Sequence, residues 1–326
     1  MNSILSKLKP GSQLGARPPA AVELAPQGVL AAATPGSGKP PVYAFEPLPA
    51  GAVIPGIGEQ NLRAPEVVAN AIRAALAQVA PRTRAVTLVL PDTVVRIFVL
   101  DFDSLPGKAA EAVPILRFRL RKMIPFDVEQ AGLSYQVLTS NKTECKVLAA
   151  VLPGPILAEY EAAVRQAGYE PGAVLPSSLA ALAAIDSPEP ALTANLTALA
   201  LTTSITHSQD LLLYRTLDLP EEPSLRLEEV RRCVSVAAAY FEDKLGAKPR
   251  LLYYAGAGAG TGAGGNSAAE EFARLLDSPN LSHAPDAPDA PELTVVDLAP
   301  RPETGAATPL GSLSLAGVTG ALAGAA

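Results

Sequence analysis

The sequence predicts a mixed α/β protein of two lobes, and three observations carry that reading. A chain of 326 residues exceeds what a single hydrophobic core usually serves, so two or more subdomains are expected. Apolar residues make up 48% of it but are mostly Ala, Val and Leu, with aromatics at 5% and no Trp, which suits helices packed on sheets. Apolar runs of strand length then alternate with segments of helical period along the whole chain. The 32 Pro and 25 Gly are concentrated in a few stretches and read as connectors between these blocks.

Charge and cysteine content exclude several classes of function. A net charge of −6 and a pI near 5.1 argue against nucleic acid as a partner, which would call for a clustered basic surface. Cys145 and Cys233 are far apart with no second thiol near either, so neither a disulfide framework nor a zinc site is suggested, and a reducing compartment fits. The opening MNSILSKLKPGSQLG has Lys7 and Lys9 but no apolar run after them, unlike a secretory signal, and a cytoplasmic protein is expected. Thr304 to Ala326 carries no charged side chain and is long enough to cross a bilayer if helical. Its Ala, Gly, Ser and Thr, interrupted by Pro309 and Gly311, instead predict a helix buried closely against a sheet.

In chain order, the first 20 residues read as loop, Ala21 to Ala33 as a short apolar piece, and Thr34 to Pro41 as a punctuated connector. YAFEPLPAGAVIPG within Val42 to Pro55 is a strand running into turns; Ala64 to Val79 is a helix with Pro65 in its first turn and an apolar face of Val67, Ala71, Ala74, Leu76 and Val79. AVTLVL, at 85 to 90, is a strand, followed by the Pro91-Asp92 turn and a second strand from Val94 to Phe102. Gly107 to Met123 is helical, with Val113, Leu116, Leu120 and Ile124 apolar, Pro114 starting or kinking it, and Arg117, Arg121 and Lys122 elsewhere on the cylinder. Strands at Leu133 to Leu138 and Lys146 to Leu152 flank a polar turn, and a helix from Pro155 ends at Gly168.

The remainder repeats the α/β theme. Leu196 to Thr203 and Gln209 to Leu219 read as a hairpin, and Leu225 to Leu245 as a long helix with Leu227, Val230, Val234, Ala237, Ala238 and Phe241 on one side. RLLYY at 250 to 254 is a strand entering AGAGAGTGAGGNS, from which the helix Ala268 to Leu276 emerges; HAPDAPDAP at 283 to 291 is a linker, and LTVVDL at 293 to 298 is a strand.

Few residues suggest chemistry. Gly38-Lys39 resembles the end of a phosphate-binding P-loop, but Ala33 stands where its first Gly belongs and Pro40 replaces the magnesium-binding hydroxyl, so a connector is expected. Gly256, Gly258 and Gly260 lie between a strand and a helix, where backbone amides approach a ligand, although no acidic residue completes a dinucleotide fingerprint. His207 and His283 are the only histidines, one in a polar turn and the other in the Pro-rich linker, so no nucleophile has a visible base and no hydrolytic triad is expected. Glu221-Glu222, Glu228-Glu229 and Glu270-Glu271 read as solvated helix charges, and the basic run Arg117, Arg119, Arg121, Lys122 as a solvated helix face.

Five stretches together resemble the PilM family, the actin-like, FtsA-related proteins of type IV pilus assembly. These are YAFEPLPAGAV at 43 to 53, LVLPDTVVRIFVLDFDSLP at 88 to 106, IPFDVEQAGLSYQVL at 124 to 138, EEVRRCVSVAAAYFEDKLG at 228 to 246 and LLYYAGAGAG at 251 to 260. The resemblance implies an actin-like ATPase fold of two lobes with an inserted SHS2-type subdomain. It divides the chain into a first lobe at 1–83, the insertion at 84–168, a return to the first lobe at 169–190 and a second lobe at 191–326, with the N-terminal 20 residues disordered.

The resemblance also carries functional expectations. Actin-like ATPases hold phosphate and magnesium through two Asp-x-Gly turns, expected here near GARPPAAV at 15 to 22 and in ALALTTS at 198 to 204, where Ala200 and Thr202 stand for Asp and Gly. Without the carboxylates there is no ligand for magnesium, and a Cβ blocks phosphate. A degenerate nucleotide site without catalytic residues or metal is therefore expected, and no cofactor; any ATP with magnesium would meet Gly256, Gly258, Gly260, Thr202, Thr203 and Ser204. The implied partner is the cytoplasmic N-terminal peptide of a PilN-like inner-membrane protein, with Arg119, Phe126 and Tyr135 as groove candidates. Other pilus platform components and self-association are also expected, with the membrane reached only through partners. The alternatives are a working actin-like ATPase and a GspL-like component of type II secretion.

Overall fold

A computed structural model describes residues 17–36, 39–141, 143–185, 187–208, 210–256, 268–276, 293–299 and 314–323. It divides into two units, one of residues Met1–Ala183 with Gly317–Ala326 and the other of Ala184–Ala316. The second lobe was expected to run to residue 326, whereas the chain from Gly317 onward groups with the first unit. Of the N-terminal 20 residues expected to be disordered, 1–16 lie outside the described residues, as does the linker at 283 to 291, whereas Pro19 accepts from the Thr34 amide and Ala20 opens β1.

The first unit is built on a five-stranded sheet. Strands β1 (Ala20–Ala25), β2 (Gly28–Ala33) and β3 (Val42–Pro47) form an antiparallel meander, and β4 (Ala85–Leu90) and β8 (Glu170–Pro176) extend it in parallel, giving the order β3-β2-β1-β4-β8. Residues 21 to 33 are thus two strands joined at Pro26-Gln27. All six residues of β2 are buried, so no alternation of polar and apolar side chains marks it as a strand. Pro171 and Pro176 are tolerated in β8 because it is an edge strand, whose outer side forms no ladder.

Helix α1 (Pro65–Val79) begins with Pro at its first position and ends with Ala80 in the left-handed conformation. Its core face is centred on Val68, Ile72, Ala75 and Leu76; Val67, expected inside, is exposed, which rotates the predicted face by one position. A loop between β3 and α1 is pinned by Asn61, whose side chain donates to the carbonyls of Gly56 and Glu59 and accepts from the Tyr160 hydroxyl.

Between β4 and β8 is a smaller antiparallel sheet of β5 (Arg96–Phe102), β6 (Ala131–Ser140) and β7 (Cys145–Pro153), in the order β5-β7-β6. Helix α2 (Ala109–Leu120) covers one face of it, burying Ala112, Leu116 and Leu120 against Val147, Ala149 and Val151, while Pro114 sits inside the helix. The insertion was expected from residue 84 to 168, but β4 belongs to the larger sheet. Helix α3 (Gly154–Gln166) likewise packs Ile156, Tyr160, Ala163 and Val164 into the larger core.

After β8, helix α4 (Ser177–Ala181) is buried throughout. Helix α7 (Ala316–Ala323) is the expected close-packed C-terminal helix. A Cβ on Gly320 would stand 2.0 Å from the Ala180 carbonyl oxygen, and the Tyr43 hydroxyl and Thr319 Oγ1 are hydrogen-bonded at 2.9 Å.

The second unit repeats the strand order of the first. Strands β9 (Ala191–Leu196), β10 (Ala200–His207) and β11 (Asp210–Asp218) form the meander, and β12 (Leu251–Tyr254) and β13 (Thr294–Asp297) the parallel side, in the order β11-β10-β9-β12-β13. Helix α5 (Pro223–Leu245) buries Val230, Cys233, Val234, Ala237 and Phe241; the Glu222 side chain caps it and Gly246 ends it in the left-handed conformation. Helix α6 (Ala268–Leu276) packs Phe272 on Tyr254, with ring centroids 4.4 Å apart.

The contact at Gly320 is testable. Gly320→Ala forces α7 away from α4 and should cost about 1–3 kcal/mol as an overpacked site, read as a lowered Tm in thermal denaturation.

Candidate functional site

Ligands of open α/β sheets bind beyond the carboxyl ends of the parallel strands, because loops there are free to carry polar groups. In the first unit those ends are Glu23 and the turn after it on β1, Pro91-Asp92 after β4, and Ser177-Ser178 after β8. Asp92 is buried and accepts hydrogen bonds from the Ser178 amide at 3.0 Å and from the Ser178 hydroxyl. Glu23 lies against the first turn of α7: a Cβ on Gly317 would stand 2.6 Å from Glu23 Oε2 and 2.7 Å from Ser177 Oγ. Oε2 is closed to solvent and has no hydrogen-bond partner. Burial pushes the Glu23 carboxyl up to about 7 from the ordinary 4.5, the Asp92 charge adds to this, and the Ser177 hydroxyl pulls the other way.

In the described parts of the two segments expected to hold phosphate-binding turns, Ala20 to Val22 and Ala200 to Ser204 are strand. Ala20 to Val22 pair with β2, and Ala21 and Val22 also with β4, so that segment is strand interior. The chain reverses at Pro26-Gln27, and the residues leading into the turn are Glu23, Leu24 and Ala25. In the second unit, Leu201 to Ser204 pair on both sides, with β9 and β11, and the reversal lies at Ala198-Leu199, preceded by Asn195, Leu196 and Thr197. Thr197 Oγ1 accepts from the amides of Leu199 and Ala200 and closes that turn, and Arg226 of α5 straps it through the carbonyls of Thr197 and Ala198.

Of the nominated nucleotide residues, Thr202, Thr203, Ser204 and Gly256 are described. Thr202 Oγ1 is hydrogen-bonded to Thr216 Oγ1 at 2.9 Å, Ser204 Oγ pairs with Thr193 Oγ1, and Thr203 is buried, so these hydroxyls belong to the sheet interior. Gly256 follows β12, where a Cβ would meet the Tyr254 ring and stand 2.7 Å from the Leu196 carbonyl oxygen; its missing side chain serves the packing of Tyr254. Gly258 and Gly260 lie outside the described residues. Among the described residues no cluster of His, Cys, Asp and Glu could hold a metal ion.

The three groove candidates also separate. Phe126 and Tyr135 pack against the core between α2 and the small sheet, whereas Arg119 is exposed on α2. Sequence reasoning missed Glu23, Asp92, Ser177 and Gly317. The available signal was that Glu23 is the one charged residue between Ala20 and Ala33, an unexpected carboxylate in an apolar run.

The paired units, each a meander extended by two parallel strands, define a mixed α/β fold of the actin-like ATPase class. Its particular likeness is to a chain of a "PilM-PilN type IV pilus biogenesis complex", with a TM-score of 0.69 and 19% identity over 94% of this chain and 98% of that one. The cytoplasmic domain of EpsL, "an inner membrane component of the type II secretion system of Vibrio cholerae", matches with a TM-score of 0.46 at 15% identity, covering 73% of this chain and 81% of that one. A Bacteroides thetaiotaomicron protein of actin-like ATPase fold and unknown function matches with a TM-score of 0.44 at 10% identity, covering 79% of this chain and 87% of that one. No family model and no curated protein matches the sequence.

The enclosed carboxyl sets a pH dependence. Between about 4.5 and about 7 the folded protein holds a proton on Glu23 that the unfolded chain has released, so stability falls as pH rises through that window. Glu23→Gln should flatten this part of the Tm–pH profile and raise Tm above neutrality; an unchanged slope in thermal melts across the window would refute the assignment.

Proposed function

We propose that this protein is an assembly adaptor of a type IV pilus or related secretion platform, which binds the cytoplasmic N-terminal peptide of a PilN-like inner-membrane protein and does not turn over ATP. The observation that carries the reading is the match, over nearly the full length of both chains, to a chain from a complex of PilM with PilN. The likeness supplies the fold, and the function is inferred from it.

The chemistry of the strand ends supports the second half. Magnesium takes hard, anionic oxygen ligands, and phosphate needs backbone without a Cβ in its way. Asn195 is neutral, Ala25 and Thr197 occupy the positions two residues after Glu23 and Asn195, and Glu23 is enclosed against α7. A working ATPase is disfavoured on these grounds. Among the described residues no helix is long and apolar enough to cross a membrane, so attachment in this reading runs through the peptide.

Calorimetric titration of the full chain with that peptide, with and without magnesium-ATP, tests both halves. Saturable binding at the same affinity in either condition is expected, with no magnesium-dependent phosphate release. Absence of binding in both conditions would sink the adaptor, and an ATPase activity abolished by Gly256→Ala would sink the pseudoenzyme. Of the groove candidates, Arg119 is the informative one, because Phe126 and Tyr135 would act through the core they pack in. Arg119→Glu should weaken binding to the peptide if the groove reaches α2.

A further inference from the structure

Helix α2 presents apolar residues on two opposite sides. Ala112, Leu116 and Leu120 face the core, while Ile115, Phe118 and Met123 face out, with Phe118 exposed to 74%. The helical winding continues past Leu120, since the amides of Arg121, Met123 and Ile124 donate to the carbonyls of Arg117, Leu120 and Leu120. Positions 115, 118, 119, 122 and 123 therefore form one stripe at helical spacing, and it mixes the three apolar side chains with Arg119 and Lys122, both exposed. Arg121 lies beside the stripe in an ion pair with Glu129 at 2.9 Å, and Glu111, toward the start of the helix, is paired with Lys108 at 3.7 Å. A chain of net charge −6 thus carries a locally cationic edge around its most exposed aromatic ring.

We propose that this face of α2 docks on an anionic bilayer surface, with Phe118 entering the boundary between headgroups and acyl chains and Arg119 and Lys122 meeting lipid phosphates. Aromatic rings and long cationic side chains at one level are what an interface takes, because the ring is buried while the charged ends stay at the headgroups. Charge complementarity favours lipid phosphate as the occupant. A protein partner is disfavoured by shape: the stripe is the convex outside of a helix, and cations divide its apolar side chains where a protein interface would need a continuous apolar centre. The contact is weak and reversible on its own, as interfacial anchors of few groups are, and works as a second tether. Arg119 is also a candidate for the peptide groove, so the tests are placed at Phe118 and Lys122.

The sequence contains no Trp, so Phe118→Trp gives a single reporter in the full chain. Its emission should shift to the blue, and be quenched by brominated acyl chains, with phosphatidylglycerol vesicles but not with phosphatidylcholine vesicles. In co-sedimentation of the unlabelled chain, Phe118→Glu should lower the bound fraction about tenfold and Lys122→Glu about fivefold. Both positions are exposed, so unchanged thermal melts would show that the variants fold. Equal binding to neutral vesicles, no blue shift on anionic ones, or full binding by folded Phe118→Glu would overturn the proposal. So would a blue shift on polyglutamate without one on vesicles, which would mark a surface for an acidic protein.

Discussion

The pairing of β1 governs the first unit. It is bonded antiparallel to β2 on one side and parallel to β4 on the other, and this mixed environment fixes everything around it. The antiparallel side allows a tight reversal at Pro26-Gln27, while the parallel side demands a crossover, which α1 supplies. A second parallel crossover, between β4 and β8, is long enough to hold the small sheet and α3. The same pairing brings the ends of β1, β4 and β8 together, so Glu23, Asp92, Ser177 and Ser178 meet although they are widely separated in sequence. In the second unit β9 has the same two kinds of neighbour, and the strand order follows from it in the same way.

That constraint explains which parts of the fold are legible in the sequence. Segments with an apolar stripe or clear boundaries are easily read: α5 shows its apolar stripe, β5 and β7 are bounded by turns, and α6 follows a glycine-rich stretch. A strand buried on both faces is read when turns bound it, as for AVTLVL of β4, and is missed when they do not. AAVELAPQGVLAAA lacks alternation, and its reversal at Pro26-Gln27 has none of the Asn-Gly or Asp-Gly chemistry that announces a hairpin, so two strands read as one apolar piece. β9 was hidden for the converse reason. Thr193 and Asn195 are polar yet buried, and the reversal after them, at Ala198-Leu199, is apolar. Most of the sequence-level errors come from such inversions of the usual link between polarity and exposure.

The candidate site suffered most, because its position depends on where the chain turns. Missing one hairpin displaced the expected phosphate turn upstream into strand interior, and merging β9 with β10 displaced the other into Ala200 to Ser204. The Thr and Ser residues of β10 looked like ligands in the sequence; in the sheet they pair across strands with Thr193 and Thr216. Helix α7, over Ala316–Ala323, is the described part of the helix expected within Thr304 to Ala326, and it packs closely on α4 where a sheet was expected. Its consequence was not legible, since only the fold shows that Gly317 lets its first turn close on Glu23.

The two reversals share a chemical character despite their different residues. A carboxylate held at the end of β1 would be a fixed anion at neutral pH if it were solvated or hydrogen-bonded by several donors. Glu23 instead has one oxygen without a partner and a carboxyl that titrates at about 7, so near neutrality a substantial part of it is uncharged. At the end of β9 the corresponding side chain is Asn195, which cannot ionise. Each strand end therefore carries less than a full negative charge near neutrality, one through burial and one through residue type. A divalent cation is held by charge as well as by geometry, so neither strand end, taken by itself, offers the full anionic charge that magnesium favours.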